Sequence, residues 1–115
     1  MNRRHRLSGR RRIAAVRETG REVRSGALRL RAIPGEDAVS RVAFAVPGAG
    51  GAVRRNRARR RLRAAIAPLL PECARLDLVV SLPGSAAEMP FPELQAALAS
   101  ALKAAGRSVQ ARAPA

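Results

Sequence analysis

The residues best suited to chemistry in this chain are arginines packed into one short run. Seven of the ten residues from Arg54 to Arg63 are arginine, and a guanidinium group stays charged and binds phosphate through two parallel hydrogen bonds. Like charges three or four residues apart repel one another on a helix, so this run costs stability unless an anion lies along it. The run therefore predicts a surface that binds a polyanion.

The arginine run also has the periodicity of a helix. Over residues 52–70, five apolar residues fall on one stripe of an α-helix: Ala58, Leu62, Ala65, Ile66 and Leu69. Most of the arginines then lie opposite this stripe or beside it. Arg55 falls on the apolar side of the helix, but within its first turn. Pro68 is expected to distort or close the last turn. A disordered basic tail would lack the stripe, and a solvated face would mix its charges.

Length and charge limit what the chain can be. Its 115 residues allow one small domain with a modest core. Residues 1–63 hold 19 arginines and four acidic residues and carry the whole net charge of +15, whereas the charges of residues 64–115 cancel. This asymmetry predicts a first half that binds nucleic acid and a second half that acts as scaffold.

A membrane partner and a disulfide framework are disfavoured. The apolar face of the arginine helix is mostly alanine and lacks aromatic anchors, no apolar run approaches the ~20 residues that span a bilayer, and no signal-peptide segment follows the basic N-terminus. We expect no membrane partner and a cytoplasmic chain. Cys73 is the only cysteine, so no cysteine-rich metal site is expected; its simplest interpretation is a small apolar residue near a helix end.

Turn residues and apolar spacing predict two further helices and the limits of the domain. One helix is expected over residues 8–19, with Ser8 as N-cap and Gly20 as stop. Another is expected over residues 92–105, ended by Gly106. The chain is divided into a mobile basic arm, a single domain and a disordered tail, at residues 1–7, 8–106 and 107–115.

Alternating apolar residues predict the strands and the fold class. From Glu22 to Pro34 the apolar period is two, which predicts a half-buried strand with Leu28 and Leu30 inward, and a short strand is expected before it around Val23. Further strands are expected over residues 39–47 and 76–82. The last is apolar enough to lie near the middle of a sheet. The fold class is therefore α+β, with the order α-β-β-β-α-β-α, as a two-layer sandwich of helices on a mainly antiparallel four-stranded sheet.

The arginine run resembles the signature of the bacterial ribonuclease P protein component. In that family a Gly-x-Ala-Val lead precedes Arg-Asn-Arg, then x-Lys/Arg-Arg, then an arginine three residues further on. Residues 50–53 supply the lead here, and the motif positions are filled by Arg55, Asn56, Arg57, Arg59, Arg60 and Arg63. The resemblance covers residues 6–106 and includes the order of elements, which in the family forms a ribosomal-protein-S5-domain-2-like fold.

The resemblance implies a function and partners. The family's protein binds the catalytic RNA of ribonuclease P and helps bind precursor tRNA, so that the RNA, using Mg²⁺, removes the 5′ leader endonucleolytically and leaves the mature tRNA 5′ end. This chain would then be a non-catalytic subunit without a cofactor of its own, one per RNA. The residues expected to contact RNA are Arg54, Arg55, Asn56, Arg57, Arg59, Arg60, Arg61 and Arg63.

The resemblance also implies a cleft for the 5′ leader, between the first helix and the sheet. Its expected lining is Ile13, Arg17, Arg29 and Arg31. Three of these, Ile13, Arg17 and Arg31, fall where the family usually carries aromatic residues. Base stacking on an aromatic side chain is worth about 1–3 kcal/mol per base. Without aromatics, the arginines would have to stack on bases or pair with phosphates, and both modes stay open.

The sequence argues against chemistry by the chain alone. His5 is the only histidine, and the carboxylates are scattered, whereas a protein nuclease needs metal-binding carboxylates or an acid–base pair. No catalytic residue and no metal site is predicted. Two alternatives stay open. A ribosomal or other structural RNA-binding protein would not affect precursor tRNA cleavage, and a nuclease acting alone would need no RNA subunit.

Overall fold

The computed structural model describes residues 3–36, 39–48, 50–72, 75–84 and 86–112. These residues form three α-helices and four β-strands. The helices are α1 (Arg10–Thr19), α2 (Ala52–Ile66) and α3 (Phe91–Arg112). The strands are β1 (Arg21–Ser25), β2 (Leu28–Pro34), β3 (Arg41–Ala45) and β4 (Leu76–Ser81). The predicted order of elements is confirmed, and a 3₁₀ segment over Ala67–Glu72 follows α2 where Pro68 is expected to close it.

The four strands form one sheet in the order β1-β2-β4-β3. The pairs β1–β2 and β2–β4 are antiparallel, and only β3–β4 is parallel, so the sheet is mainly antiparallel as predicted. β4 is buried from Leu76 to Val80 and lies between β2 and β3, which confirms the interpretation of its apolar run. The parallel neighbours β3 and β4 are joined through α2, because parallel strands require a crossover connection.

The sheet has helices on both faces, so α1 adds a partial third layer to the predicted two-layer arrangement. Leu30 of β2, Val42 of β3 and Leu78 of β4 belong to the main core, together with the apolar stripes of α2 and α3. The alternate residues face the other way, where Val79 packs with Val16 of α1 in a second, smaller cluster. α1 covers only part of this second face, so the remainder of that face stays open.

A buried carboxylate holds α1 in place. Asp77 in β4 is 0% exposed, and its Oδ2 accepts hydrogen bonds from Arg12 Nε at 2.6 Å and from Arg41 Nη2 at 3.0 Å. Arg12 also donates from Nη2 to the carbonyl of Pro34 at 2.9 Å. A carboxylate in the interior is costly unless it is paired. The two arginines provide that pairing, and Arg12 thereby ties α1 to β4 and to the end of β2.

Residues 3–7, predicted to be a mobile arm, pack along β3 instead. Arg6 forms a parallel bridge with Val42, and the amide of Leu7 donates to the carbonyl of Val42 at 2.9 Å. His5 Nδ1 donates to the carbonyl of Ser40 at 2.8 Å. Leu7 is buried, and this single apolar anchor among basic residues covers the free edge of β3. Met1 and Asn2 lie outside the described residues.

Two helix ends differ from the prediction. α1 begins at Arg10 with Gly9 as its N-cap residue, so Ser8 is not the cap. α3 continues through Gly106 to Arg112, because Val109 beyond the glycine is buried in the main core, and this burial outweighs the weak helix-breaking tendency of one glycine. The first six residues of the predicted tail are therefore helical. Residues 113–115, and also Cys73, lie outside the described part of the chain.

The two glycines expected to end helices should respond to alanine in opposite ways. A Cβ at Gly20 would lie 2.3 Å from the carbonyl oxygen of Val16, whereas nothing lies within 4 Å of a Cβ at Gly106. We expect Gly20→Ala to lower the free energy of unfolding by roughly 1–3 kcal/mol through overpacking. Gly106→Ala should raise it by about 0.5–1 kcal/mol, since alanine favours the helix. Urea unfolding measures both, and a neutral Gly20→Ala would contradict the close approach.

The ion pairs of Asp77 should contribute more to stability than an exposed pair. Asp77→Asn keeps the side-chain volume but leaves two guanidinium groups without their carboxylate, and we expect a loss of roughly 3 kcal/mol in the free energy of unfolding. The control is Glu88→Gln, which removes the exposed pair of Arg54 and Glu88 and should cost less than about 1 kcal/mol. Equal losses in urea unfolding would show that Asp77 does not anchor α1.

Candidate nucleic-acid interface

α2 buries one stripe and exposes a row of cations. Its buried residues are Ala58, Leu62, Ala65 and Ile66, and Leu69 packs partly against the same core, as the periodicity predicts. The residues of the predicted RNA-binding set that are exposed are Arg54, Arg55, Asn56, Arg57 and Arg60, whereas Arg59, Arg61 and Arg63 are half-buried. The exposed cations therefore concentrate in the first half of α2.

An open cleft of about 1020 Å³ lies beside α2, on the sheet face that α1 leaves uncovered. Its walls bring together Arg17 of α1, Arg29 and Arg31 of β2, and Arg55 and Arg59 of α2. Three of the four residues predicted to line a cleft are thus in its wall. Two signature arginines join them, so the predicted cleft and the predicted RNA-binding helix share a boundary.

Ile13 does not line this cleft. It packs in the small cluster of Leu7, Val16 and Val79 instead. Ile13 and Arg17 share a face of α1 because they are four residues apart, but the cleft opens only at the end of the helix. Spacing along α1 could predict the shared face and could not predict which turn reaches the opening.

The floor of the cleft comes from residues that the sequence does not single out. Ala45 of β3 and Ser81 of β4 are paired in the sheet register and both line the cleft, together with Phe44 and Val79. Small side chains on adjacent strands leave that part of the sheet uncovered. The sequence contains a signal for this position, because Ala45 alternates with the larger apolar residues Phe44 and Val46 and so falls on the opposite face of a strand.

Arg31 is held by the protein. Its Nη1 donates to the carbonyl of Arg17 at 3.1 Å and to that of Gly20 at 3.5 Å, and its Nη2 lies 3.8 Å from Glu22 Oε1. These carbonyls lie at the C-terminal end of α1, where unsatisfied acceptors and the helix dipole favour a cation. In contrast, four cleft guanidinium groups have no ion pair or hydrogen bond among the described residues: those of Arg17, Arg29, Arg55 and Arg59.

On its other edge, α2 holds a loop. Arg61 donates from Nη1 to the carbonyl of Ala87 and from Nη2 to that of Met89, the latter at 2.5 Å. Arg54 Nη2 lies 3.2 Å from Glu88 Oε1, with both side chains exposed. Arg61 therefore fastens the segment before α3 to α2, and much of its hydrogen-bonding capacity is used within the protein.

The described part of the chain offers cations rather than a metal site. No group of three or more histidine, cysteine or acidic residues that could hold a metal ion is present there. Four carboxylates each pair with at least one arginine: Glu22, Glu36, Asp77 and Glu88. Among the described residues, no helix has both the length and the apolar character needed to cross a membrane.

Structural comparison places this fold among known proteins. The RNase P protein of Staphylococcus aureus superposes with a TM-score of 0.75 over 88% of this chain and 94% of its own, at 20% identity. The RNase P protein of Thermotoga maritima superposes with a TM-score of 0.76 over 86% of this chain and 96% of its own, at 21% identity. At such low identity these likenesses establish the shared fold, and they confirm the predicted fold class.

Sequence comparison is more specific. Ribonuclease P protein components of Roseiflexus sp. (strain RS-1) and Roseiflexus castenholzii (strain DSM 13941 / HLO8) are each 40% identical to this chain over 109 residues, which covers 92% of this chain and 89% of theirs. The family model for ribonuclease P matches residues 1–106, a span that includes the arginine helix and the cleft. The chain therefore belongs to the ribonuclease P protein family.

Proposed function

We propose that this chain is the protein subunit of ribonuclease P, which binds the catalytic RNA and precursor tRNA so that the RNA can remove the 5′ leader. The match to the family over residues 1–106 is the observation that carries the proposal. It is supported by the exposed arginines of α2, which stand where the family has its signature. A structural RNA-binding protein of another kind is not favoured by these comparisons.

The proposed contribution of the chain to the reaction is charge. Exposed guanidinium groups such as those of Arg57 and Arg60 would neutralise phosphates of the catalytic RNA and release counterions, so the folded RNA would need less Mg²⁺. We assign the hydrolysis itself to the RNA and its Mg²⁺.

We assign the 5′ leader of precursor tRNA to the cleft. The assignment is supported by its position beside α2 and by the arginines of three different elements in its wall. A leader held there would lie next to the surface that binds the catalytic RNA. We further propose one protein per RNA and action in the cytoplasm, where precursor tRNA is processed.

The decisive experiment is cleavage of precursor tRNA by a bacterial ribonuclease P RNA at low Mg²⁺, with and without this protein. We expect little cleavage by the RNA alone, strong cleavage when the protein is added, and none by the protein alone. Tight RNA binding without any increase in cleavage would replace the proposal with a general RNA-binding function. Cleavage by the protein alone would establish a protein nuclease.

Exposed arginines of α2 should set the salt dependence of RNA binding. Arg57→Ala and Arg60→Ala should each weaken binding to the catalytic RNA and reduce the slope of log affinity against log salt by about one at most, since each removes at most one phosphate contact. The matched control is Arg107→Ala, which removes an equal charge from the exposed surface of α3 and should change the slope little. An unchanged slope in both α2 variants would exclude this face from the interface.

Arg61 should differ from its neighbours because it has a structural role. Arg61→Ala removes hydrogen bonds to two carbonyls, and we expect the free energy of unfolding to fall by roughly 1.5 kcal/mol. Arg61→Lys should restore only part of this, since an ammonium group lacks the planar fork that reaches both carbonyls. Arg57→Ala should leave stability unchanged or slightly higher, because it relieves like-charge repulsion. Equal stability of Arg61→Ala and Arg57→Ala in urea unfolding would contradict this role.

A further inference from the structure

We propose that the cleft recognises the single-stranded leader through its phosphodiester backbone and not by stacking its bases, an inference that rests on the function proposed above. The two modes make different demands on the wall of a cleft. Backbone recognition needs unpaired cations along the path of the chain. Stacking platforms for single strands are built from aromatic side chains on which successive bases lie.

The cations of the cleft are available for a ligand. The guanidinium groups of Arg17, Arg29, Arg55 and Arg59 have no protein partner among the described residues, and they come from α1, β2 and α2. Opposite walls of one opening therefore carry positive charge that the protein does not neutralise. Phosphates that follow one another along a strand are the matching ligand, since guanidinium groups bind phosphate in a bidentate manner.

The carboxylate in the cleft wall does not cancel this charge. Glu22 Oε2 lies 3.5 Å from Arg24 Nε, and Glu22 Oε1 lies 3.8 Å from Arg31 Nη2. Glu22 is thus engaged by two arginines other than the four available ones. Arg31 also donates hydrogen bonds to the carbonyls of Arg17 and Gly20. These bonds fix its guanidinium plane, so the plane cannot turn to stack on a base.

The cleft has little aromatic surface on which bases could stack. The chain contains two aromatic residues, both phenylalanine. Phe44 lines the cleft but also packs against the main core, and Phe91 at the start of α3 is not part of the wall. Among the described residues, no asparagine or glutamine, the side chains that pair with adenine edges, lines the cleft. Because Phe44 alternates with Ala45 along β3, its side chain lies on the core face of the sheet and gives a leader no stacking platform.

The consequence is a leader site that is indifferent to sequence and sensitive to salt. Any single-stranded leader presents the same phosphates, so replacing its bases should matter little. Each phosphate contact on a single strand contributes about 0.7 to the slope of log affinity against log salt. The part of precursor tRNA affinity that the leader provides should therefore fall steeply as salt rises.

The test uses the holoenzyme, reconstituted from the full chain and a bacterial ribonuclease P RNA, and compares precursor tRNA that differs only in its leader. One leader is unmodified, one has abasic riboses, one has neutral methylphosphonate linkages, and one tRNA has no leader. We expect the abasic leader to bind within about twofold of the unmodified leader. The methylphosphonate leader should lose at least about tenfold, as expected when charge-assisted hydrogen bonds are removed.

Protein variants locate the effect in the cleft. Arg17→Ala and Arg29→Ala should each lower the salt slope of leader-dependent binding by about 0.7, whereas Arg107→Ala, an equal change of charge on α3, should leave it unchanged. A large loss with the abasic leader and retention with methylphosphonate would overturn the inference in favour of base stacking. An equal slope for both cleft variants and Arg107→Ala would also overturn it.

The outcome separates this inference from the proposed function. If the protein increases cleavage at low Mg²⁺ but an unmodified leader adds no affinity over tRNA without a leader, the backbone site is wrong and the subunit role stands. If the protein does not increase cleavage by the RNA, the proposed function fails, and the inference fails with it.

Discussion

The burial of Asp77 between Arg12 and Arg41 decides where α1 lies, and the shape of the cleft depends on it. Without the ion pair of Arg12 and Asp77, α1 would be held on the sheet by the small apolar cluster around Val16 and by the hydrogen bonds of Arg31 to the carbonyls at its end. Because the carboxylate is fully buried in the central strand, its arginines must come to it. The end of α1 is thereby set against β2, where Arg17 and Arg31 meet the open part of the sheet.

A chain with so many arginines and few carboxylates must find other acceptors. Arg31 uses the last carbonyls of α1, and Arg61 uses carbonyls of the segment before α3. Each of these contacts turns a cation into a structural element and removes it from the surface that a nucleic acid would meet. The guanidinium groups of Arg17, Arg29, Arg55 and Arg59 have no such partner in the part of the chain that the structure describes. The proposed binding surface therefore consists of the guanidinium groups that have no acceptor within the described part of the protein.

α2 contributes arginines both to the cleft and to the outer surface of the protein. Its narrow alanine-rich stripe packs on the core, and its arginines emerge on both sides of that stripe, with Arg55 and Arg59 at the cleft and Arg57 and Arg60 outward. An RNA bound along the outer face and a leader bound in the cleft would therefore contact adjacent turns of one helix.

Local patterns in the sequence were enough for the element order, the buried stripe of α2, the central place of β4 and the family, because the period of apolar side chains and a short motif are properties of neighbouring residues. They were not enough for residues 3–7, where one buried leucine outweighs the basic composition, or for the helical end of α3, where Val109 packs into the core. Local patterns also could not show which arginines bind acceptors within the protein and which remain available for a ligand. Arg12 meets Asp77 across 65 positions and Arg61 meets Ala87 across 26, and only the tertiary structure brings such distant acceptors to a guanidinium group and so decides which cations remain free.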